Sequence, residues 1–160
     1  MTIEELNTAA PEIVREKLTQ CCGSHAWVEQ MVRLRPFADR NALLSAAGAV
    51  WNSLQPEDWL EAFSHHPKIG AKSASKWSSD EQRGMQTASS ETASTMHQLN
   101  LHYERKFGWI FIICANGKSA NEMLASIQSR IRNDSATELS IAAREQSKIT
   151  QLRLEKLLDE

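Results

Sequence analysis

Four short segments of this chain carry residues able to do chemistry. The first is Ser64-His65-His66-Pro67-Lys68-Ile69-Gly70. Proline disfavours the α region for the residue before it, so His66 sits in restricted, extended-type backbone and its imidazole has a restricted direction. An imidazole exchanges protons near neutral pH and suits general acid–base work. The same residues also read as an ordinary histidine pair in a surface loop, and the segment alone does not separate the two.

The second segment is Trp77-Ser78-Ser79-Asp80-Glu81-Gln82-Arg83-Gly84. Ser78 and Glu81 have capping-box spacing, which by itself accounts for both residues. A helix N-terminus also offers N–H groups to an anion. A carboxylate not locked onto the backbone could instead orient a histidine or take part in proton transfer. The third is Arg153, which shares a helical stripe with Leu139, Ala142, Gln146 and Ile149. A guanidinium on a largely apolar stripe requires an anionic or carbonyl partner, either within the protein or on a ligand. The fourth is Phe111-Ile112-Ile113-Cys114-Ala115. It reads as core, but an extended run without a sheet partner also has N–H and C=O groups to satisfy, and a heteroatom-rich ring bound edge-on could use them.

Other chemistries lack their residues. There is no H-E-x-x-H, no glycine-rich phosphate loop and no G-x-S-x-G elbow. His97 and His102 are five apart, which does not place them on one helix face. No metal site is expected. The five tryptophans are not interleaved with basic runs, so a stacking platform for nucleic acid is unsupported. With 18 Lys+Arg against 20 Asp+Glu, the net charge of −2 gives no broad attraction for nucleic acid or acidic membrane. No apolar run approaches the ~20 residues of a membrane span. The first residues lack the basic and apolar regions of a signal peptide, and the last lack a Ser-Lys-Leu address, so a cytoplasmic location is expected. Cys21, Cys22 and Cys114 are odd in number and two are adjacent. They read as reduced thiols packed in the interior.

Helices must position these groups. Thr2 and Glu5 have capping-box spacing, Pro11 suits a first helical turn, and Gly23 suits a helix end. Ser24 and Asp39 can cap the following helices, which are separated by Arg35-Pro36, and Pro56 opens a short helix. Periodicity lapses from His65 to Trp77, through Pro67, Gly70 and the small polar stretch Ser73-Ala74-Ser75, so a loop is expected there. A helix then restarts at Ser78 and could run to Phe107, bending near Ser89-Ser90, with Gly108 closing it. Trp109–Cys114 reads as an extended piece bounded by Gly108 and Asn116-Gly117. Ser119 opens another helix, and the last runs from about Ala136 nearly to the end. The expected architecture is all-α, a single-domain helical bundle over residues 1–160 with about seven or eight helices and one short extended apolar segment.

At these four segments the chain resembles the 2-oxo-4-hydroxy-4-carboxy-5-ureidoimidazoline (OHCU) decarboxylase family. The matching features are His66-Pro67-Lys68-Ile69-Gly70, Ser78-x-x-Glu81-Gln82-x-Gly84, Phe107-Gly108 with Phe111-Ile112-Ile113-Cys114-Ala115, and Glu138-Leu139 leading to Lys148-Ile149-x-x-Leu152-Arg153-Leu154. The resemblance implies an all-helical, usually dimeric enzyme without a cofactor, acting on a small anionic ureidoimidazoline and yielding (S)-allantoin in urate breakdown. It implies that His66 donates a proton, that Glu81 is its carboxylate partner and that Arg153 contacts the substrate. Pro67, Ser78, Gln82 and the backbone of Phe111, Ile112, Ile113, Cys114 and Ala115 match ligand-lining positions. His65 departs from the family pattern, where a small residue stands.

The substrate chemistry is compatible with a cofactor-free site. Breaking the bond to the carboxylate leaves electrons that ring C=N and C=O groups accept, so the substrate carries its own electron sink. Two other readings stay open on the residues alone. One is a hydrolase of a related ureide, releasing ammonia or urea. The other is a non-enzymatic helical interaction module, with an exposed apolar groove instead of a polar pocket.

Overall fold

The computed structural model describes residues 1–71 and 75–160. Among them are nine α-helices, one 3-10 helix and no strand. The chain divides into two compact units, Met1–Ala62 with Gln146–Glu160, and Phe63–Glu145. Of the expected loop, residues 72–74 lie outside the described residues. No helix among the described residues is long and apolar enough to cross a membrane.

The first unit contains α1 (Ile3–Thr8), α2 (Pro11–Cys21), α3 (His25–Arg33), α4 (Arg40–Ser53) and most of α5 (Pro56–Ser64). The expected caps form. Thr2 and Glu5 make a reciprocal capping box. The Ser24 hydroxyl accepts from the Trp27 N–H, and the Asp39 carboxylate from the Ala42 N–H. Gly23 follows the last helical turn of α2 without adopting the left-handed conformation expected of it, because Cys22 ends the helix in extended backbone. Leu6, Val14, Leu18, Trp27, Met31, Leu43 and Leu154 are fully buried. Each such side chain contributes about 1.5–3 kcal/mol of burial. The polar edge of Trp27 is satisfied within this core, its indole N–H donating to the Ala47 carbonyl at 3.1 Å.

The second unit contains α6 (Lys76–Glu81), the 3-10 helix (Arg83–Thr87), α7 (Ser90–Phe107) and α8 (Ala120–Arg130). The first turns of α9 (Ser135–Asp159) also belong to it, and the rest of that helix to the first unit. Two expectations are corrected here. The helix carrying Glu81 begins at Lys76, two residues earlier than its Ser78–Glu81 spacing indicates, because Ser75 is the cap and accepts the Ser78 N–H at 3.3 Å. The helix expected to continue to Phe107 is interrupted by the 3-10 turn instead of merely bending. Ser89 then adopts extended backbone and caps α7 through the Thr92 N–H at 3.1 Å. Serine hydroxyls compete for backbone N–H groups in this way and favour helix starts over interiors.

Gly108 closes α7 in the left-handed conformation, at φ +85°. Residues 110–115 then run as irregular extended chain. Phe111, Ile113 and Ala115 enter a core with Met96, Tyr103, Phe107, Met123 and Ile127. The Tyr103 ring lies 4.6 Å from that of Phe107 and 5.3 Å from that of Phe111.

Candidate active site

His66 follows α5 by two residues, where the chain bends, and its N–H donates to the Phe63 carbonyl at 3.2 Å. The loop beyond it is fastened at three successive residues. Lys68 pairs with Glu104 at 2.8 Å. Both side chains are about two-fifths exposed, so the pair contributes little, on the order of 0–1 kcal/mol. Ile69 buries its side chain in the core, and its carbonyl accepts from the Asn100 amide at 2.9 Å. Gly70 has φ +87°, a region that favours glycine, and its N–H donates to Gln82 Oε1 at 2.9 Å.

That last bond joins two segments far apart in their motifs. Gln82 follows Glu81 directly, so the His66 loop and the end of α6 are tied together. Gly70, Ala71, Ser78, Ser79, Gln82, Met85 and Gln86 line a cavity of about 150 Å³. This is well below the ~300–1,000 Å³ of pockets for drug-sized ligands and suits a single small ring. Ser78 is buried, while His66, Pro67, Glu81 and Gln82 are half-buried.

Glu81 is the last residue of α6, and the N-cap is Ser75, so the capping-box account of Glu81 fails. A carboxylate at a helix C-terminus also opposes the helix dipole. Its position is therefore poorly explained by local helix stability. Three residues on, the closeness of Gly84 to another part of the backbone dictates its type. A Cβ there would lie 2.0 Å from the Lys118 carbonyl oxygen, so only glycine lets the 3-10 helix approach the turn that follows the extended segment. That turn is closed by the Lys118 N–H donating to the Ala115 carbonyl at 3.0 Å.

The extended segment is gripped by its backbone. Arg130 Nη1 donates to the Ile112 carbonyl at 2.8 Å, and the Cys114 N–H donates to Glu145 Oε1 at 3.1 Å. Arg130 stacks 4.5 Å over the Phe111 ring. Glu138, fully buried, accepts from Arg130 Nη2 at 2.6 Å and Nε at 3.0 Å, from Asn133 at 3.2 Å, and from the Tyr103 hydroxyl. Burial first, and the adjacent Glu138 carboxylate second, push the Tyr103 phenol well above the ordinary range. Among the described residues, no three His, Cys, Asp or Glu side chains cluster as metal ligands would.

Residues 7–155 match the sequence profile of the OHCU decarboxylase family. The chain belongs to the OHCU decarboxylase family. It is 38% identical over 159 residues to the uric acid degradation bifunctional protein TTL of Arabidopsis thaliana, covering 94% of this chain. It spans about half the length of that relative, 49%. It is 31% identical over 131 residues to the OHCU decarboxylase of Amia calva, covering 78% of this chain and 75% of that one. A crystal structure of OHCU decarboxylase in the presence of (S)-allantoin superposes with a TM-score of 0.82 at 38% identity, covering 91% of this chain and 99% of that one. The family match favours the decarboxylase reading over the hydrolase and interaction-module readings.

Against this family frame, the structure brings Ser78 and Gln82 to one cavity and ties it to the His66 loop. Phe111, Ile112, Ile113 and Ala115 are buried and Cys114 half-buried. Arg153 belongs to the other unit. It is 8% exposed on α9, and its Nη1 donates to the Gln20 carbonyl at 3.2 Å. Two helical turns before it, the Gln146 amide donates to the Thr150 hydroxyl at 3.1 Å, and both residues are buried.

Of four polar residues that fasten this machinery, Asn100, Arg130 and Glu145 were not singled out from the sequence, and Glu138 stood only in the matching pair Glu138-Leu139, without a role. For two of them a signal existed. Glu138, Ala142, Glu145 and Ile149 follow helical spacing of four, three and four, so two carboxylates interrupt an otherwise apolar stripe. Such carboxylates need internal partners. For Arg130 and Asn100, the spacing offered no comparable sign.

Proposed function

We propose that this protein decarboxylates 2-oxo-4-hydroxy-4-carboxy-5-ureidoimidazoline to (S)-allantoin in urate breakdown. The reading rests on family membership, and one observation carries it to the residues. The Gly70–Gln82 hydrogen bond fastens the loop bearing His66 to the helix ending in Glu81, beside a cavity sized for one small ring. Ser78, Gln82, Pro67 and the backbone of Phe111–Ala115 are assigned to lining the ligand. Arg153 is assigned to contact the anionic substrate. Positioning and electrostatics would supply most of the acceleration.

In the proposed reaction the bond to the departing carboxylate breaks and CO2 leaves. The electron pair enters the ring's conjugated C=N and C=O groups. Loss of the carboxylate relieves charge crowding near Glu81, and His66 delivers a proton to one face of the carbon that becomes the stereocentre. The substrate supplies its own electron sink, so the chain is expected to work without a cofactor. It is expected to act as a cytoplasmic homodimer, and sedimentation equilibrium tests the dimer.

The test is to add purified protein to freshly generated substrate and follow CO2 and circular dichroism together. Accelerated CO2 release with accumulation of the S enantiomer is expected. Ammonia or urea in place of CO2 identifies a hydrolase, and racemic product at the spontaneous rate ends the proposal.

A further inference from the structure

Residues 110–115 run extended without a strand partner among the described residues, yet the structure does not leave this stretch to solvent. Phe111, Ile113 and Ala115 alternate into the core. That alternation aims successive backbone groups to the two sides of the chain. In a sheet, neighbouring strands would hold those groups. Here side chains from two helices do so. Arg130 of α8 holds the Ile112 carbonyl at 2.8 Å, and Glu145 of α9 holds the Cys114 N–H at 3.1 Å. The two grips lie two residues apart, and Arg130 and Glu145 are each 9% exposed. Arg130 is itself held by the fully buried Glu138.

A buried carboxylate is costly unless its oxygens are bonded. A purely structural filler at position 145 would be apolar, as are Ala142 and Ile149 on the same stripe. A polar acceptor at position 145 therefore needs a reason beyond packing, and the backbone N–H it holds belongs to the segment that lines the site in the reading above.

We propose that Glu145 and Arg130 are positioning residues. Together they hold residues 112–114 as a fixed backbone ledge, with Glu145 setting the Cys114 peptide so that the adjacent backbone groups meet the ligand ring in register. This rests on the proposed decarboxylase site. The requirement at position 145 is an acceptor oxygen at full side-chain reach.

Three replacements in the full chain test this: Glu145→Gln, Glu145→Asp and Glu145→Ala. Glutamine keeps an acceptor at the same reach, aspartate keeps the charge but is one methylene short, and alanine loses both. Losing one such bond is worth about tenfold. KM should therefore rise roughly tenfold in E145D and E145A, with kcat changing less, while E145Q stays within about threefold of wild type. Amide hydrogen exchange at Cys114 should be slow in the wild type and in E145Q, and fast in E145D. A merely structural role would lower stability without raising the KM of the folded fraction.

Unchanged KM in folded E145D overturns the ledge, as does a KM in E145Q as high as in E145D. Should E145A and E145D both fail to fold, the wild-type exchange decides: a Cys114 amide exchanging as fast as that of Asn116 overturns it. Wild-type protein that turns over no substrate ends the functional reading instead, and the exchange comparison still decides whether Glu145 holds the segment.

Discussion

The second unit contains two polar assemblies built on opposite terms. Under the extended segment, Arg130 and Glu138 are buried and bonded several times over, to each other, to Tyr103, to Asn133 and to the Ile112 carbonyl. Around the small cavity, His66 and Glu81 are half-buried, on a loop and at the last residue of a six-residue helix. The first arrangement fixes geometry, and its charges are fully committed. The second keeps its ionisable groups within reach of solvent, as proton exchange requires. If the proposed function holds, structural charge and reactive charge are separated within a single unit.

The contrast can be broken most forcefully at the buried pair. Arg130→Ala leaves Glu138 buried and uncompensated, and should lower unfolding free energy by about 3–5 kcal/mol in urea titration. The double replacement Arg130→Met with Glu138→Met should recover much of that stability, since paired charges exchanged for apolar volume are often nearly neutral.

At the cavity the signs reverse. His66→Ala and Glu81→Ala should each cost on the order of 10² or more in turnover, with stability close to wild type because neither residue is core. Wild-type turnover in His66→Ala removes the proposed proton donor, whatever the stability. Glu81→Gln tests the charge alone.

Gly84 lies where the 3-10 helix meets the turn after the extended segment. A Cβ 2.0 Å from the Lys118 carbonyl forces backbone to move. Gly84→Ala should therefore destabilise by about 1–3 kcal/mol, as overpacking does. Gly48 is the control, since a Cβ there would meet Gln151 Nε2 at an ordinary 3.8 Å. It lies inside α4, so Gly48→Ala should stabilise by about 0.5–1 kcal/mol.

The gentlest probe is pH. Tyr103 is the only tyrosine in the chain, so absorbance near 295 nm reports it alone among phenols. Its folded pKa is raised, chiefly by burial. Its contribution to stability is therefore fully present below the ordinary phenol value of about 10, and is lost as pH rises from there toward its folded pKa. Phenolate should appear together with unfolding, not ahead of it. Tyr103→Phe should remove that part of the alkaline transition.

Much of this molecule was legible in the residues, and the exceptions have physical causes. Caps were read correctly at Thr2, Ser24, Asp39 and Ser119 because a side-chain oxygen just before a helical period has little else to do. The pattern misled at Ser78, where two serines three apart, Ser75 and Ser78, can each start a helix, and the earlier one is the cap. The interruption between Glu81 and Ser90 was underestimated because the contact requiring Gly84 comes from Lys118, distant in sequence. The chemically capable segments stood out because their residue types are unusual for their surroundings. The Arg130 and Asn100 grips did not, since each acts on a backbone carbonyl, and any residue type can supply one.

Cys22 has a consequence for the protein's durability. It is 1% exposed, and burial pushes its thiol up to about 11, against the opposing pull of Ser24, Thr150 and Arg153. At neutral pH the thiolate that peroxide or an alkylating agent attacks is therefore scarcer than for an exposed cysteine. Two adjacent sulfurs would ordinarily invite oxidative damage, but here burial shields Cys22, and its neighbour Cys21 is equally enclosed.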